Sequence, residues 1–353
     1  MPEALGSRLS GGVRTEIARK SQAIAEDVER QWHAGTIHPA DAWAQVHAFQ
    51  VQVNALLEEC LILVTGAAAR ASLVVSVAPS DTGVDDWFPV ADALVDELVA
   101  RTPIAGWDAF TVLGVAESFR YVSRLIQLRF PRPAVWDVPS VAHELGHYLA
   151  RTLAEFRNGR MQNLVDELHA NLGGTDTTRR YWVEELFADA FASYALGPAY
   201  GFTCLTFGFD PLLANAATGT HPPSSARVNL VTDVLRLLDD SDVNWLADAM
   251  DALWTDLVTV SEAEPKEEGA PIVPDMWGKK ITDLLTGHLT ASKYSSWKEA
   301  DRLSLDLRPQ NAGSETTLSD VVNAAWLARM RTDNGLEVDK AAREALAVAR
   351  ALQ

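Results

Sequence analysis

The chain has 353 residues, of which 48% are hydrophobic, enough to bury a core in one large domain or two ordinary ones. Asp and Glu number 48 against 30 Lys and Arg, and the resulting formal charge of -18 repels phosphate backbones and anionic lipid headgroups. Neither nucleic acid nor a membrane is therefore expected as a partner.

The cysteine content and the hydropathy pattern set two further expectations. Cys60 and Cys204 lack the paired spacing of a zinc knuckle or a redox motif, which predicts buried thiols. The first thirty residues contain no apolar signal region, and the most apolar stretch, residues 61–78, is interrupted by Gly66 and Arg70. The sequence thus predicts a cytoplasmic protein without an export signal or a membrane span.

Two amphipathic helices are predicted in the N-terminal part, which we expect to form a helical layer over residues 1–84. Apolar residues recur at helical spacing over residues 15–33, and Gly35 can supply the left-handed stop. A second helical pattern extends over residues 39–57. Two tryptophans lie on the predicted apolar faces and are expected to pack in the core: Trp32 and Trp43.

A helix, a strand and a second helix follow in residues 89–156. Residues 89–101 have helical periodicity, and the alternation in residues 121–130 predicts a strand that prolines end. Ser140 is a plausible N-cap for a helix that continues to about Phe156.

The later part of the chain is predicted to be helical, with one linker. Helices are expected over residues 181–196, where Gly197 and Pro198 end the pattern, over residues 225–238 and over residues 338–352. Residues 261–271 are charged, contain proline and glycine, and lack a large apolar side chain. This linker separates a core at residues 85–260 from a C-terminal helical region at residues 272–353.

The segment that points to chemistry is His143-Glu144-Leu145-Gly146-His147. On a helix, His143 and His147 project from one face about one turn apart, so both imidazoles can bind the same tetrahedral zinc ion. Glu144 lies beside them, where its carboxylate can take a proton from a zinc-bound water molecule. The other histidines have no ligand spacing and are expected to be surface or satisfied polar groups: His33, His38, His47, His169 and His288.

A catalytic zinc ion needs a third protein ligand and an open position. We favour Glu185 because Asp189, one turn further on the same helix, can accept the free N–H of a zinc-bound histidine and fix its tautomer. Glu167 is the rival ligand, but Asn171 rather than an acid follows it four residues later. The alternative is that Glu184, Glu185 and Asp189 form an ordinary solvated helix face.

These motifs resemble those of a known family. The His-Glu-Leu-Gly-His segment and the Glu184-to-Asp189 segment, Glu-Glu-Leu-Phe-Ala-Asp, resemble the gluzincin metallopeptidases. Residues 220–227, Thr-His-Pro-Pro-Ser-Ser-Ala-Arg, are similar to a segment of the HtpX-like and minigluzincin branch, and the ImmA/IrrE-like peptidases are another soluble comparison. The resemblance covers about residues 140–230.

The resemblance implies roles for named residues. His143, His147 and Glu185 would bind zinc, while Glu144 would act as general base and then as general acid to the leaving amine. The resemblance leaves the oxyanion stabiliser open among three candidates, each of which also has a purely structural interpretation: His221, Arg227 and Tyr181.

The expected fold is α+β and mostly helical, with a zincin-like metallopeptidase core, an active-site helix, a small sheet and flanking helical regions. The predicted strand at residues 121–130 would be the edge strand that holds an extended substrate. The expected function is hydrolysis of a peptide bond, in a peptide or a protein, by a zinc-activated water molecule. The alternative is a regulatory or interaction protein that keeps a structural zinc site, and the oligomeric state is left open.

Overall fold

The fold is mostly helical and carries two small sheets, which confirms a mostly helical α+β class. The structure is a computed structural model, and it describes residues 22–45, 47–51, 53, 87–104, 110–114, 118–120, 125–129, 135–157, 160–171, 177–261, 275–332 and 335–353. Within these ranges, no helix has both the length and the apolar character that crossing a membrane requires.

The helices and strands follow one another in a simple order. The helices are α1 (22–33), α2 (39–45 and 47–51), α3 (Phe88–Ala100), α4 (Ser140–Thr152), α5 (Leu164–Asn171), α6 (Thr177–Leu196), α7 (Pro198–Thr203), α8 (Ser224–Arg236), α9 (Ser241–Val260), α10 (Asp275–His288), α11 (Trp297–Ser304), α12 (Leu318–Met330) and α13 (Gly335–Ala351). The strands are β1 (Phe110–Gly114), β2 (Ser118–Arg120), β3 (Leu125–Arg129), β4 (Ala154–Arg157) and β5 (Arg160–Asn163).

The positions of α1 and α2 agree with the sequence prediction where they are described. The burial predicted for their tryptophans does not. Gly35 has a φ of 65°, the left-handed conformation expected after α1. Trp32 and Trp43 are 57% and 73% exposed, so the prediction that both pack in the core is wrong. An amphipathic pattern marks one face of a helix as apolar, but no element of the described ranges covers these two rings.

The first sheet corrects the prediction of an edge strand at residues 121–130. The described part of that segment is β3, which lies between β1 and β2 in the order β1-β3-β2. β3 pairs with β1 in parallel and with β2 in antiparallel orientation. Because β3 has a neighbour on both sides, it is a central strand, and β2 lies at an edge instead.

Helix α4 is shorter than predicted at its end and starts differently. The helix ends at Thr152, because Leu153 adopts an extended conformation and the chain enters a hairpin of β4 and β5. The overlooked signal was Asn-Gly at positions 158–159, a common hairpin turn pair. Ser140 is not the N-cap: Pro139 occupies that position, and the Ser140 hydroxyl donates to the Asp137 carbonyl.

Helix α6 is the central helix of the fold. It begins at Thr177, earlier than predicted, and its residues from Trp182 to Leu196 are all buried. It packs against α4, α5, α8 and α10. A helix enclosed on all sides normally carries apolar residues all round, so the buried acids Glu184, Glu185 and Asp189 need partners inside the protein.

One hydrophobic cluster joins α3 to α13. It includes apolar residues of the C-terminal helices, such as Trp277, Val321 and Leu346, together with those of α4 and α6. The helices predicted at residues 225–238 and 338–352 are confirmed as α8 and α13, within two or three residues at each end. Cys204 is a buried thiol as expected; Cys60 and almost all of the predicted linker at residues 261–271 lie outside the described residues.

Candidate metal centre

The centre lies where α4 crosses α6. Apolar Val141, Leu145 and Leu149 face the core, which turns the opposite side of α4 toward α6. The contact is close because Gly146 has no side chain: a Cβ atom built there would stand 2.7 Å from the Cα of Ala188. Small residues at the crossing thus bring the polar side chains of both helices within reach of one another.

Three side chains converge at this crossing. The Nε2 atoms of His143 and His147 are 3.0 Å apart. Oε2 of Glu185 lies 3.6 Å from Nε2 of His143, and Oε1 lies 3.4 Å from Nε2 of His147. All three side chains are largely buried, and they form the group of potential metal ligands found among the described residues.

This group could hold a metal ion. Nitrogen and oxygen atoms bound about 2.0–2.2 Å from one tetrahedral zinc ion lie roughly 3.3–3.6 Å apart, close to the observed distances of 3.0, 3.4 and 3.6 Å. The buried Oε2 atom of Glu185 accepts no hydrogen bond within the described ranges, and Nη2 of Arg227 at 3.5 Å and Nε2 of His143 at 3.6 Å face it. Two imidazoles and a carboxylate are a common ligand set of catalytic zinc.

The second nitrogen of His143 is held by a carboxylate and a phenol. Nδ1 of His143 lies 3.0 Å from Oδ1 of Asp189 and 2.9 Å from the Tyr200 hydroxyl. The Tyr200 hydroxyl donates to the same Asp189 oxygen at 2.5 Å. Asp189 therefore lies within hydrogen-bonding distance of Nδ1 of His143.

The second nitrogen of His147 also faces a carboxylate. Nδ1 of His147 lies 3.5 Å from Oε1 of Glu184, and Nε of Arg151 donates to that oxygen at 2.9 Å. With a carboxylate beside each Nδ1 atom, the proton of each neutral imidazole belongs on Nδ1. The Nε2 atoms of His143 and His147 then face each other 3.0 Å apart, where either a shared proton or a metal ion can lie between them.

The ionisation of His147 reflects the same surroundings. Burial lowers the pKa of His147, but contact with Glu184 and the negative charges of Glu185 and Glu144 outweigh burial and raise it to about 9. Burial acts against the ionised form of Glu184 as well, yet His147 and Arg151 keep its pKa below the usual value. The centre thus stabilises positive charge, whether a proton or a metal ion carries it.

Arg227 from α8 completes the buried network behind the histidines. Its Nε and Nη2 atoms donate to both oxygens of Asp189, at 2.6 and 2.8 Å, and Nη2 lies 3.5 Å from Oε2 of Glu185. Its guanidinium stacks on the Phe209 ring, 4.9 Å from the centroid. Burial opposes ionisation of Asp189, but Arg227 and His143 hold its pKa far below the usual range. The Arg227 guanidinium is thus directed to Asp189.

His221 is the more accessible of the predicted oxyanion stabilisers. Its side chain is 51% exposed, and Nε2 lies 3.6 Å from Oε1 of Glu185. Hydrogen bonds between its backbone and Thr218 fix the turn that carries it. Burial lowers the pKa of His221, Arg227 lowers it further, and Glu185 partly opposes them. A neutral imidazole with an N–H group is thus held beside the ligand cluster.

The remaining candidates lie at different places. Glu144 is on α4, buried to 4% exposure and near enough to His147 for its charge to raise the His147 pKa. Glu167 lies on α5 and is not a member of the ligand cluster. Tyr181 is 42% exposed, one turn before Glu185. The other histidines of the described residues are exposed or half-buried and also lie outside the cluster: His33, His38, His47, His169 and His288.

Three residues of this network were not identified from the sequence: Glu184, Arg151 and Tyr200. The sequence predicts Glu184 only as part of a solvated face. The signal for a buried role is Arg151, which lies one turn after His147 on the same helix and offers a partner for an acid beside the histidines. Tyr200 carries no motif of its own, and only the fold brings its hydroxyl to His143. Comparison of the chain with protein-family models, curated proteins and solved structures finds no match.

Proposed function

We propose that the protein is a zinc-dependent peptidase with a zincin-like core, in which His143, His147 and Glu185 bind the metal ion. The observation that carries the proposal is the pair of Nε2 atoms 3.0 Å apart, each in a ring whose Nδ1 atom faces a carboxylate. A metal ion bound by both Nε2 atoms would take the place of a proton shared between them. Zinc suits this ligand set, and the resemblance of both helix motifs to gluzincins points the same way.

The residues around the ligands would perform the proton transfers. A bound zinc ion would lower the pKa of a water molecule and polarise the scissile carbonyl. Glu144 would accept a proton as the water oxygen bonds to the carbonyl carbon. It would then give that proton to the amine nitrogen as the C–N bond breaks, which returns Glu144 to its ionised form.

His221 is the residue we assign to the carbonyl oxygen. Its exposed imidazole beside Glu185 can donate a hydrogen bond as negative charge develops on that oxygen. Arg227 is assigned to Asp189 instead, because two of its N–H groups are directed to the Asp189 carboxylate. Arg227 would thus act by holding the acid that orients His143.

A broad peptide library tests the proposal. We expect the zinc-loaded protein to cleave members of the library, detected by mass spectrometry as new termini, and a chelator to stop cleavage until zinc is restored. The matched control is Glu144→Gln, loaded with zinc in the same way. Stoichiometric zinc without any cleavage would favour the regulatory or interaction protein, and the absence of zinc binding would overturn both alternatives.

A further inference from the structure

The turn between α6 and α7 has buried backbone groups that local side chains cannot satisfy. α6 ends at Leu196, and Gly197 follows with a φ of 82°, a left-handed conformation that glycine readily adopts. Gly197 occupies the N-cap position of α7 but has no side chain to cap it. The Leu196 carbonyl and the Ala199 N–H, at a helix end and a helix start, therefore need partners from elsewhere.

Asn323, from α12, supplies both partners. Its Oδ1 atom accepts a hydrogen bond from the Ala199 N–H at 2.9 Å, and its Nδ2 atom donates to the Leu196 carbonyl at 2.7 Å. Nδ2 also donates to the Ser319 carbonyl at 2.8 Å. Rotating the amide by half a turn would set its NH2 group against an N–H donor and its oxygen against two carbonyls, so the contacts fix its orientation. Asn323 is 1% exposed.

The position of Asn323 is itself secured by its neighbours. The Tyr294 N–H donates to the Tyr194 carbonyl in the last turn of α6, and the Tyr294 ring packs against Gly197. The Tyr294 hydroxyl donates to the buried Asp320 at 2.9 Å, one turn before Asn323 on α12. The C-terminal helices and the turn are thus joined on both sides of Gly197.

The next residue along the chain connects this turn with the metal centre. Tyr200 follows Ala199 directly, and its hydroxyl contacts both Nδ1 of His143 and Oδ1 of Asp189. We propose that Asn323 is a positioning residue of the metal centre, which sets the start of α7 so that Tyr200 fixes the His143 ring for metal binding. This inference rests on the proposed zinc site.

A double-mutant cycle on zinc affinity tests the proposal. Zinc affinity is measured by competition with a chromophoric chelator for the wild type, Tyr200→Phe, Asn323→Leu and the double variant. Tyr200→Phe should weaken zinc binding about 10- to 100-fold, the range for partners of metal-bound histidines. Asn323→Leu should weaken zinc binding by no more than Tyr200→Phe does. In the double variant, Asn323→Leu should cause little further loss of zinc affinity, because both substitutions act through the Tyr200 hydroxyl.

Controls separate positioning from general loss of structure. Thr111→Val removes the hydrogen bond that the buried Thr111 hydroxyl of β1 donates to Asp92 of α3, outside the turn, and should keep wild-type zinc affinity. If Asn323→Leu does not fold, Asn323→Asp replaces it in the double-mutant cycle. The aspartate keeps an acceptor for the Ala199 N–H but loses the donor to the Leu196 carbonyl.

The outcomes are distinct for the two proposals. Wild-type zinc affinity in the Asn323 variant, or losses that multiply in the double variant, would overturn the positioning role and leave the zinc site intact. Failure of the wild type to take up zinc would overturn the proposed function and this inference together.

Discussion

Arg227 and Asp189 form a two-point ion pair behind the metal centre, with hydrogen bonds of 2.6 and 2.8 Å. The Asp189 side chain is fully buried and the Arg227 side chain is 12% exposed. Neither charge has access to bulk water, so each depends on the other. The pair connects α6 with α8 and fixes the oxygen that faces His143.

Removing one member of this pair should destabilise the protein strongly. We expect Arg227→Met to lower the free energy of unfolding by about 3–5 kcal/mol, because the buried Asp189 charge would lose both guanidinium hydrogen bonds and its buried cation. Arg151→Met is the matched control: its partner Glu184 is buried, but Arg151 is 46% exposed, and we expect about 1 kcal/mol. Urea denaturation of the metal-free proteins measures both, and equal losses would contradict the role given to burial.

Zinc affinity should depend on Glu185 and not on Glu167. Glu185→Ala removes one of three ligands and should largely abolish tight binding, whereas Glu167→Ala should bind zinc like the wild type. Asp189→Asn should fall between them, about 10- to 100-fold weaker, since it alters the partner of a ligand and not a ligand. Competition with a chromophoric chelator ranks the zinc affinities of the three variants. Release of zinc by Glu167→Ala alone would show that the third ligand is misassigned.

Glu144→Gln should separate zinc binding from turnover. The amide is similar in size to the carboxylate, so fold and zinc content should be unchanged, but it cannot accept a proton from water. We expect turnover to fall about 10²- to 10⁴-fold. Steady-state rates on any peptide cleaved by the wild type, normalised to zinc content, provide the measurement. Similar rates in the two proteins would exclude Glu144 as the general base.

The pKa of His147 predicts how pH affects the metal-free protein. The folded pKa of about 9 lies above the ordinary value of 6.5, so protonated His147 stabilises the fold. That stability is complete below pH 6.5 and is lost as the pH rises through about 9. Zinc must displace this proton, so zinc affinity should rise up to about tenfold per pH unit across this window.

Two measurements check this dependence. Chelator competition at several pH values between 6.5 and 9 gives the slope of zinc affinity, and calorimetry in buffers of different ionisation enthalpy counts the protons released on binding. A pH-independent affinity with no proton release would mean that His147 is already neutral before zinc binds.

Gly146 should be required for the close approach of α4 and α6. In Gly146→Ala the new Cβ would stand 2.7 Å from the Cα of Ala188, so the helices must separate. We expect about 1–3 kcal/mol of destabilisation, as for other overpacked cores, together with weaker zinc binding. Gly287→Ala in α10 is the control, since no atom lies within 4 Å of its added Cβ. Removing a flexible glycine there should be neutral or stabilise by up to about 1 kcal/mol.

The parts of the centre that follow local spacing could be predicted from the sequence. His143 and His147 are four apart on one helix, and so are Glu185 and Asp189, which places each pair on one helix face without knowledge of the fold. The helical regions were predicted for the same reason. The hairpin of β4 and β5 also has a local signal, the pair Asn158-Gly159. The apolar residues before it continue a helical pattern, which is why the sequence predicts a longer helix there.

The parts that depend on distant contacts could not be predicted. Tyr200 reaches His143 across 57 residues of sequence, and Asn323 reaches Ala199 across 124. A single sequence gives no pattern that pairs such positions. The order of the strands also depends on contacts between separate segments. The alternation of apolar residues predicts a strand at β3, but it does not predict that β1 and β2 lie on either side of it.

The continuous core from α3 to α13 also has a consequence for protein synthesis. The candidate ligands emerge from the ribosome before α12 and α13, whose apolar residues belong to the same core. At about 5–20 residues per second, the chain needs on the order of ten to thirty seconds to extend from Glu185 to α13. During that interval His143, His147 and Glu185 already exist without the helices that complete the fold around them. We therefore expect metal loading to follow the synthesis of α13.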